Sequence, residues 1–190
     1  LGDDGPSLVC LGSTRALHAT ELMLSRMFGV RPFDGSPDAR ERVPFHFVWS
    51  EGQQVLPSAF HRSAADVPAP DRRRTGADPV ALQLRVEGAK RPRLVWNTPP
   101  DRGGESHGIA VAQRRGNGRL WIVLAGLTGS GTLAAAQAAA DLVADHVPDD
   151  RVGTVHWMHV RGTVALDTDR SHRELHELVR QERIGGPWSV

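Results

Sequence analysis

The chain is poor in cysteine, in lysine and in net charge. Among its 190 residues, Cys10 is the only cysteine and Lys90 the only lysine. An internal disulfide is therefore excluded, and we expect a buried Cys10 in a reducing, cytoplasmic compartment. The formal net charge of +1 gives no overall attraction to nucleic acid or to an anionic membrane. No signal-peptide pattern or apolar run of transmembrane length is found, so neither membranes nor nucleic acid are expected partners.

The length fits one domain, and we expect a single α/β domain over residues 1–190. The sequence begins with Leu1 rather than methionine, which suggests a piece of a longer protein whose other domains are candidate partners. Residues 50–79 are rich in Pro, Ala, Arg and Asp and have no sustained period. They predict a long loop excursion, in which we expect the arginines 72–74 to be solvated.

Hydrophobic patterning predicts strands that alternate with helices. Strands are expected at residues 7–12, 45–49, 80–86, 94–97, 108–113, 119–125 and 154–160. Helices are expected at residues 16–28, 132–146 and 171–184. The strands 108–113 and 119–125 flank an Asn-Gly pair, which predicts a hairpin. This order is typical of a three-layer Rossmann-like α/β sandwich with a mostly parallel sheet, which the hairpin makes mixed.

The most informative stretch is the glycine loop that follows the apolar run 120–125 and opens an alanine-rich helix. A glycine loop between a strand and a helix commonly holds a phosphate on its backbone amides and on the helix N-terminus. We therefore expect a small anionic ligand here, possible choices being a nucleotide or a dinucleotide. The expected phosphate-binding residues are Gly126, Thr128, Gly129, Ser130, Gly131 and Thr132.

Two catalytic motifs overlap on this loop, and each is incomplete. Gly126 and Gly131 have the spacing of the Walker A motif, but Thr132 stands where that motif has its lysine. The nucleophile elbow Gly-x-Ser-x-Gly needs serine at position 128 and glycine at position 130. The chain has Thr128 and Ser130 there, so neither motif predicts hydrolysis.

A third motif, the dinucleotide fingerprint, fits better but also incompletely. Gly129, Gly131 and Ala134 match Gly-x-Gly-x-x-Gly/Ala between a predicted strand and a predicted helix. The acidic residue expected after the next strand is missing, because that strand ends in Arg161. The alternative without any ligand is a tight turn whose glycines let the helix pack closely on the sheet.

A second glycine turn, Gly12-Ser13-Thr14-Arg15, follows the first predicted strand. Ser13 or Thr14 is expected to cap the next helix, which Gly29 ends. If the two strand–turn–helix units are parallel, both turns meet at the carboxyl edge of one sheet, where ligands of open α/β sheets bind. We therefore add Gly12, Ser13 and Thr14 to the expected ligand contacts.

The second turn resembles the Gly-Ser-x-Arg opening of the NADPH-dependent flavin reductases. The resemblance covers this loop and the strand before it, and it implies a flavodoxin-like fold that holds the flavin phosphate on the loop. His18 stands where a serine or threonine is common in that family.

The loop around Gly126 resembles a different group, the uncharacterised α/β domains in regulatory and defence proteins of GC-rich bacteria. In these, an Ala-Gly-x-x-Gly-x-Gly-Thr loop ends a hairpin and precedes an alanine-rich helix. Here the corresponding residues are Ala125, Gly126, Gly129, Gly131 and Thr132. This resemblance implies a ligand-sensing or effector-associated module rather than a known enzyme.

Other polar residues are candidates for the pocket or for a surface. His18 lies near the expected pocket, and with Glu21 it forms either an acid–base pair or surface polarity. Asn97 and Thr98 follow a short strand, where polar residues often line a pocket; a simple turn is the alternative.

The remaining histidines give no expected metal site. His172 and His176 are one helical turn apart, which suits zinc, but no third ligand is evident and a solvated helix face is expected. His156 and His159 are expected to face opposite sides of one strand.

The sequence thus predicts a cytoplasmic domain that binds a nucleotide or a nucleotide derivative and acts as a sensor in a signalling or defence protein. One alternative is an enzyme, either a flavin- or NAD(P)-dependent reductase or a nucleotide-processing hydrolase. The other is a protein-interaction scaffold without a ligand. No catalytic residue is assigned.

Overall fold

The computed structural model describes residues 6–190 except 16, 52, 54, 71, 77, 78, 87, 100, 102, 148–151 and 169–173. Its strands are β1 (Leu8–Leu11), β2 (Phe45–Trp49), β3 (His61–Ser63), β4 (Ala81–Leu84), β5 (Arg93–Trp96), β6 (Glu105–Arg114), β7 (Leu120–Gly126), β8 (Val155–Thr168) and β9 (Glu174–Ser189). Its α-helices are α1 (His18–Phe28), α2 (Pro37–Glu41), α3 (Arg72–Thr75) and α4 (Gly129–His146). Short 3-10 turns lie at Ala64–Asp66 and Gly116–Gly118. Within the described residues, no helix is both long enough and apolar enough to cross a membrane.

The strands form two mixed sheets. One has five strands in the order β1-β7-β6-β8-β9, and the other has four in the order β3-β2-β4-β5. Only the pairs β1–β7 and β2–β3 are parallel, and the remaining pairs are antiparallel. The expected three-layer Rossmann-like sandwich with a mostly parallel sheet is therefore wrong, and so is the flavodoxin-like fold implied by the first turn. The molecule is mostly β-sheet with few helices.

The largest local correction is at the carboxyl-terminal end. The expected helix at 171–184 is wrong, because Glu174–Ser189 forms β9 and pairs antiparallel with β8 from Thr168↔Glu174 to His156↔Ser189. An antiparallel partner needs only a short connection, whereas a parallel strand needs a crossover of a dozen or more residues. The two longest strands therefore form a hairpin at the end of the sheet, where the sequence suggested a strand followed by a covering helix.

Smaller corrections concern edges, loops and caps. β1 is an edge strand, and Val9 and Leu11 are 62% and 57% exposed where a buried strand was expected. The expected loop excursion 50–79 contains β3 and α3. Neither Ser13 nor Thr14 caps α1, whose N-cap is Leu17 without a side-chain hydrogen bond.

The helix ends and the hairpin agree with the expectation elsewhere. Gly29 ends α1 in the left-handed conformation, with φ +64°. The hairpin β6–β7 pairs from Gly108↔Gly126 to Arg114↔Leu120, and its connection contains the 3-10 turn Gly116–Gly118.

The five-stranded sheet is covered on both faces, and strand alternation distributes its side chains between two cores. Ile109, Val111 and Trp157 point towards α1 and the four-stranded sheet, in a core with several phenylalanines of β2 and its neighbours. Ala110 and Met158 point towards α4. The helix meets them with four alanines and one leucine, at Ala134, Ala135, Ala138, Ala139 and Leu142. This arrangement fixes α4 close to the sheet and places its N-terminus at the end of β7.

Candidate functional site

The two glycine turns lie side by side. Because β1 and β7 are parallel neighbours, with Leu11 opposite Leu124, both strands end at the same edge of the sheet. The amide of Gly12 donates to the carbonyl of Leu124 (2.9 Å), which joins the first turn to β7. Between the two turns and Trp49, the last residue of β2, lies a cavity of about 550 Å³. We call it the edge cavity.

Six of the nine expected ligand contacts, and none of the three further pocket candidates, line the edge cavity. They are Gly12, Ser13, Gly126, Thr128, Gly129 and Thr132, and Leu11, Arg15, Trp49 and Leu127 complete the lining. The others, which do not line it, are Thr14, Ser130, Gly131, His18, Asn97 and Thr98. Sequence reasoning missed Arg15 and Trp49. Arg15 belongs to the Gly-Ser-x-Arg turn itself, whereas Trp49 comes from the second sheet.

The N-terminus of α4 lies at this cavity, which Gly129 and Thr132 line. Thr128 is the N-cap, and its hydroxyl accepts from the amide of Gly131 (3.3 Å). The amide of Thr132 donates to the carbonyl of Thr128 (3.0 Å). The amides of Gly129 and Ser130 precede any residue that can pair within the helix. The fully described first turn of α4 has no acidic side chain, so its partial positive charge is available to an anion.

Arg15 adds a full positive charge to the same cavity. Its guanidinium lies over the Trp49 ring, 5.2 Å from the ring centroid, and donates to the Gln53 side-chain oxygen (2.9 Å). Arg15 is the only charged residue among the described residues that line the edge cavity. The potential in the cavity therefore favours anions.

The glycines of the loop have two different roles. A Cβ on Gly126 would lie 2.2 Å from the amide nitrogen of Thr132, and one on Gly131 would lie 2.4 Å from the carbonyl oxygen of His107. A Cβ on Gly108 would in turn lie 2.3 Å from the Gly131 oxygen. These three glycines let α4 rest on the sheet, as the alternative of a tight turn predicts. Gly129 differs, because a Cβ there would meet nothing within 4 Å.

A chain of hydrogen bonds through Asn97 and Ser106 supports the glycine loop at Thr128. The Asn97 side chain accepts from the amide of His107 (3.0 Å) and donates to the Ser106 hydroxyl (3.5 Å). Ser106 in turn shares a hydrogen bond of 2.5 Å with the Thr128 hydroxyl. Thr98 pairs through its backbone with Glu105. Asn97 therefore supports the N-cap of α4 instead of contacting a ligand in the edge cavity.

Thr14 is turned inwards and joins the first turn to the second sheet. Its hydroxyl donates to Nε2 of His61, whose Nδ1 donates to the carbonyl of Leu56 (3.3 Å). Burial lowers the pKa of His61 to about 4, so the ring is neutral at pH 7 and is a weak base. Both side chains are 4% exposed. The pair thus connects β3 to the turn before α1.

His18 and Glu21 do not form an acid–base pair. His18 is on the exposed side of α1, where its ring meets Phe33 edge-on with centroids 5.6 Å apart. Glu21 is buried and accepts from the Ser25 hydroxyl (3.3 Å), the Ser58 hydroxyl (2.7 Å) and the Phe33 amide (3.0 Å). Glu21 therefore fixes the segment after α1 and the loop before β3.

The other histidines lie away from the edge cavity. His156 is opposite Ala112, on the face of α4, and His159 is opposite Ile109, on the other face, as strand alternation predicts. His159 and His107 are in contact (Nε2 to Nδ1, 3.1 Å), and burial lowers the two pKa values to about 3 and about 4.

The helix expected to carry His172 and His176 one turn apart is not present at His176. His172 lies outside the described residues, and His176 is on β9. In the part of the chain that the structure describes, no group of three or more His, Cys, Asp or Glu residues is arranged to hold a metal ion.

Cys10 is buried, as expected, with its sulfur 3.2 Å from the Thr20 hydroxyl.

Comparison with known proteins gives no family for the chain: no family model matches it, and no curated protein or solved structure is significantly similar to it.

Proposed function

We propose that this domain binds a small anionic molecule of the nucleotide type in the edge cavity and acts as a ligand-sensing, regulatory module. One observation carries the proposal: two glycine turns, from strands far apart in the sequence, wall one cavity whose only described charged lining residue is Arg15. In this proposal a phosphate lies at the N-terminus of α4, on the amide of Gly129, and Arg15 neutralises its remaining charge.

The chemistry of the lining favours binding over catalysis. The described residues that line the edge cavity include no His, Asp, Glu, Cys or Lys. General acid–base catalysis usually needs one of these side chains within hydrogen-bond reach of the reacting atoms. A sensor whose bound state is recognised by other domains or partner proteins is therefore favoured over a reductase or a hydrolase.

Thermal unfolding with a panel of nucleotides, dinucleotides, flavins and cyclic nucleotides tests the proposal. A ligand at 100 times its Kd stabilises the folded state by about 2.7 kcal/mol. The test variant is Gly129→Val, because the added side chain meets open space in the protein but covers the amides that a phosphate would approach. The matched control is Gly116→Val, since Gly116 also has open space around it but lies at the other end of the β6–β7 hairpin.

We expect one ligand class to stabilise the wild type and the Gly116→Val variant and to lose its effect on Gly129→Val. If no compound of the panel stabilises the wild type, or if Gly129→Val keeps the full effect, the glycines serve only the packing of α4 and the proposal is wrong.

A further inference from the structure

A second cavity, of about 390 Å³, shares Trp49 with the edge cavity. It lies between α2, the segment after β2 and the strand β3, and we call it the arginine cavity. Arg40 from α2 and Arg62 from β3 both line it. None of these residues was expected to form a site, because the second sheet brings them together from segments with no recognisable motif.

Four buried polar atoms of the lining have no hydrogen-bond partner among the described residues. They are Nε of Arg40, Nε1 of Trp49, Oγ of Ser50 and Nε of Arg62. Trp49 and Ser50 are only 4% and 7% exposed. Buried polar groups in proteins almost always have a partner, so four orphaned atoms around one cavity need an explanation. Three of the four can only donate, and the missing partner is therefore rich in acceptors.

Arg62 lies in a locally positive part of the cavity, although the formal charges of the described lining residues balance. The pKa of Arg62 is lowered, first by burial and then by the charges of Arg40 and Arg85, which outweigh the opposite effects of Asp66 and Glu41. Two carboxylates, Glu51 and Asp66, line the cavity as well. Asp66 is already engaged, because it accepts from the amide of Ser63 (3.4 Å) in the cap of a 3-10 turn.

The size and the walls of the cavity indicate more than a single ion. Its volume is within the range of small-molecule pockets, and Val55, Leu56 and Pro57 give it an apolar side. We propose that the arginine cavity binds a small organic oxyanion, in which a phosphate or carboxylate meets Arg40, Arg62, Ser50 and Trp49 and an apolar group contacts residues 55–57. Guanidinium groups suit either anion because they donate two parallel hydrogen bonds. This site is separate from the one in the proposed function.

Calorimetric titration with phenyl phosphate, benzoate and phenol at constant ionic strength tests this proposal. The three probes share a ring and differ in the anion, so they separate phosphate, carboxylate and apolar binding. We expect one of the two anions to bind and phenol not to bind. Arg62→Gln and Ser50→Ala should weaken binding, Arg62→Gln by at least about tenfold. Arg26→Gln, which changes an exposed arginine of α1 outside the cavity, is the matched control and should keep the wild-type Kd.

The stability of the variants without a probe distinguishes a ligand site from a structural role. If Arg62 is there to bind a ligand, Arg62→Gln removes a charge repelled by Arg40 and leaves the melting temperature unchanged or raises it. The proposal is wrong if neither anion binds, or if Arg62→Gln lowers the melting temperature and leaves the Kd unchanged. Gly129→Val should not alter binding here, so failure of this proposal and failure of the proposed function give different results.

Discussion

Mild acid should destabilise this protein strongly because four of its buried histidines must remain neutral in the folded state. Burial is the largest cause of the lowered pKa at each of them. The pKa falls to about 3 at His46 and His159 and to about 4 at His61 and His107. In the unfolded chain each would titrate at its ordinary value of 6.5. Between these values the unfolded state binds protons that the folded state does not.

The sign and size of the effect follow from this difference. Above pH 6.5 both states are neutral and the histidines cost nothing. As the pH falls below 6.5, each buried histidine lowers the free energy of unfolding by about 1.4 kcal/mol per pH unit, until its folded pKa is reached. At pH 5 the loss is about 2 kcal/mol per histidine, or about 8 kcal/mol for the four, against a typical total stability of about 5–15 kcal/mol.

Urea unfolding at a series of pH values from 7.5 to 5 measures this directly, because the slope of stability against pH gives the number of protons taken up. We expect an uptake that approaches four protons near pH 5.5. His46→Gln should reduce the uptake by about one proton, because glutamine does not titrate. The variant should still fold, because the glutamine amide can donate to the carbonyl of Arg40, as Nε2 of His46 does at 3.0 Å. His18→Gln, on the exposed side of α1, is the control and should keep the wild-type slope. Stability that stays flat down to pH 5 would refute the reasoning.

Four further substitutions test the description of the edge cavity. Gly131→Ala should destabilise the fold by about 1–3 kcal/mol in urea unfolding, because its Cβ would overlap the β6 backbone, whereas Gly129→Ala should change stability by less than half as much. Arg15→Gln should weaken the ligand found by the thermal panel about tenfold in a calorimetric titration, and an unchanged Kd would remove Arg15 from the site. Ser106→Ala should cost about 1 kcal/mol in urea, since it removes the hydrogen-bond partner of Thr128, and a neutral result would mean that the N-cap does not need this support.

Features that depend on neighbouring residues could be predicted from the sequence. The hairpin β6–β7 follows from two apolar runs around a turn pair, and α4 follows from an alanine-rich segment after glycines. The placement of both glycine turns at one edge also follows from local strand–turn–helix units, although the sheet that carries them is mixed.

Features that depend on pairing between segments far apart in the chain could not be predicted from the sequence. Leu175, Leu178 and Val179 have helical spacing, but the segment is a strand because β8 offers it a long antiparallel partner. A three-residue strand such as β3 is too short to show any period. Trp49 reaches the edge cavity only because the second sheet docks on the first. Arg40 on α2 and Arg62 on β3 meet at the arginine cavity through the fold around the second sheet, and no pattern near these residues indicates either contact.

The contact between α4 and the sheet determines how stiff one wall of the edge cavity is. Backbone atoms of Gly126, Gly131 and Gly108 set the distance between helix and sheet at the N-terminal end of α4. The methyl groups of its buried alanines set this distance further along the helix. None of these positions has a rotamer that can change, so this wall has little compliance. A ligand that binds to the amides of α4 therefore freezes few side chains there, and the entropy cost of ordering falls mainly on the ligand and on Arg15.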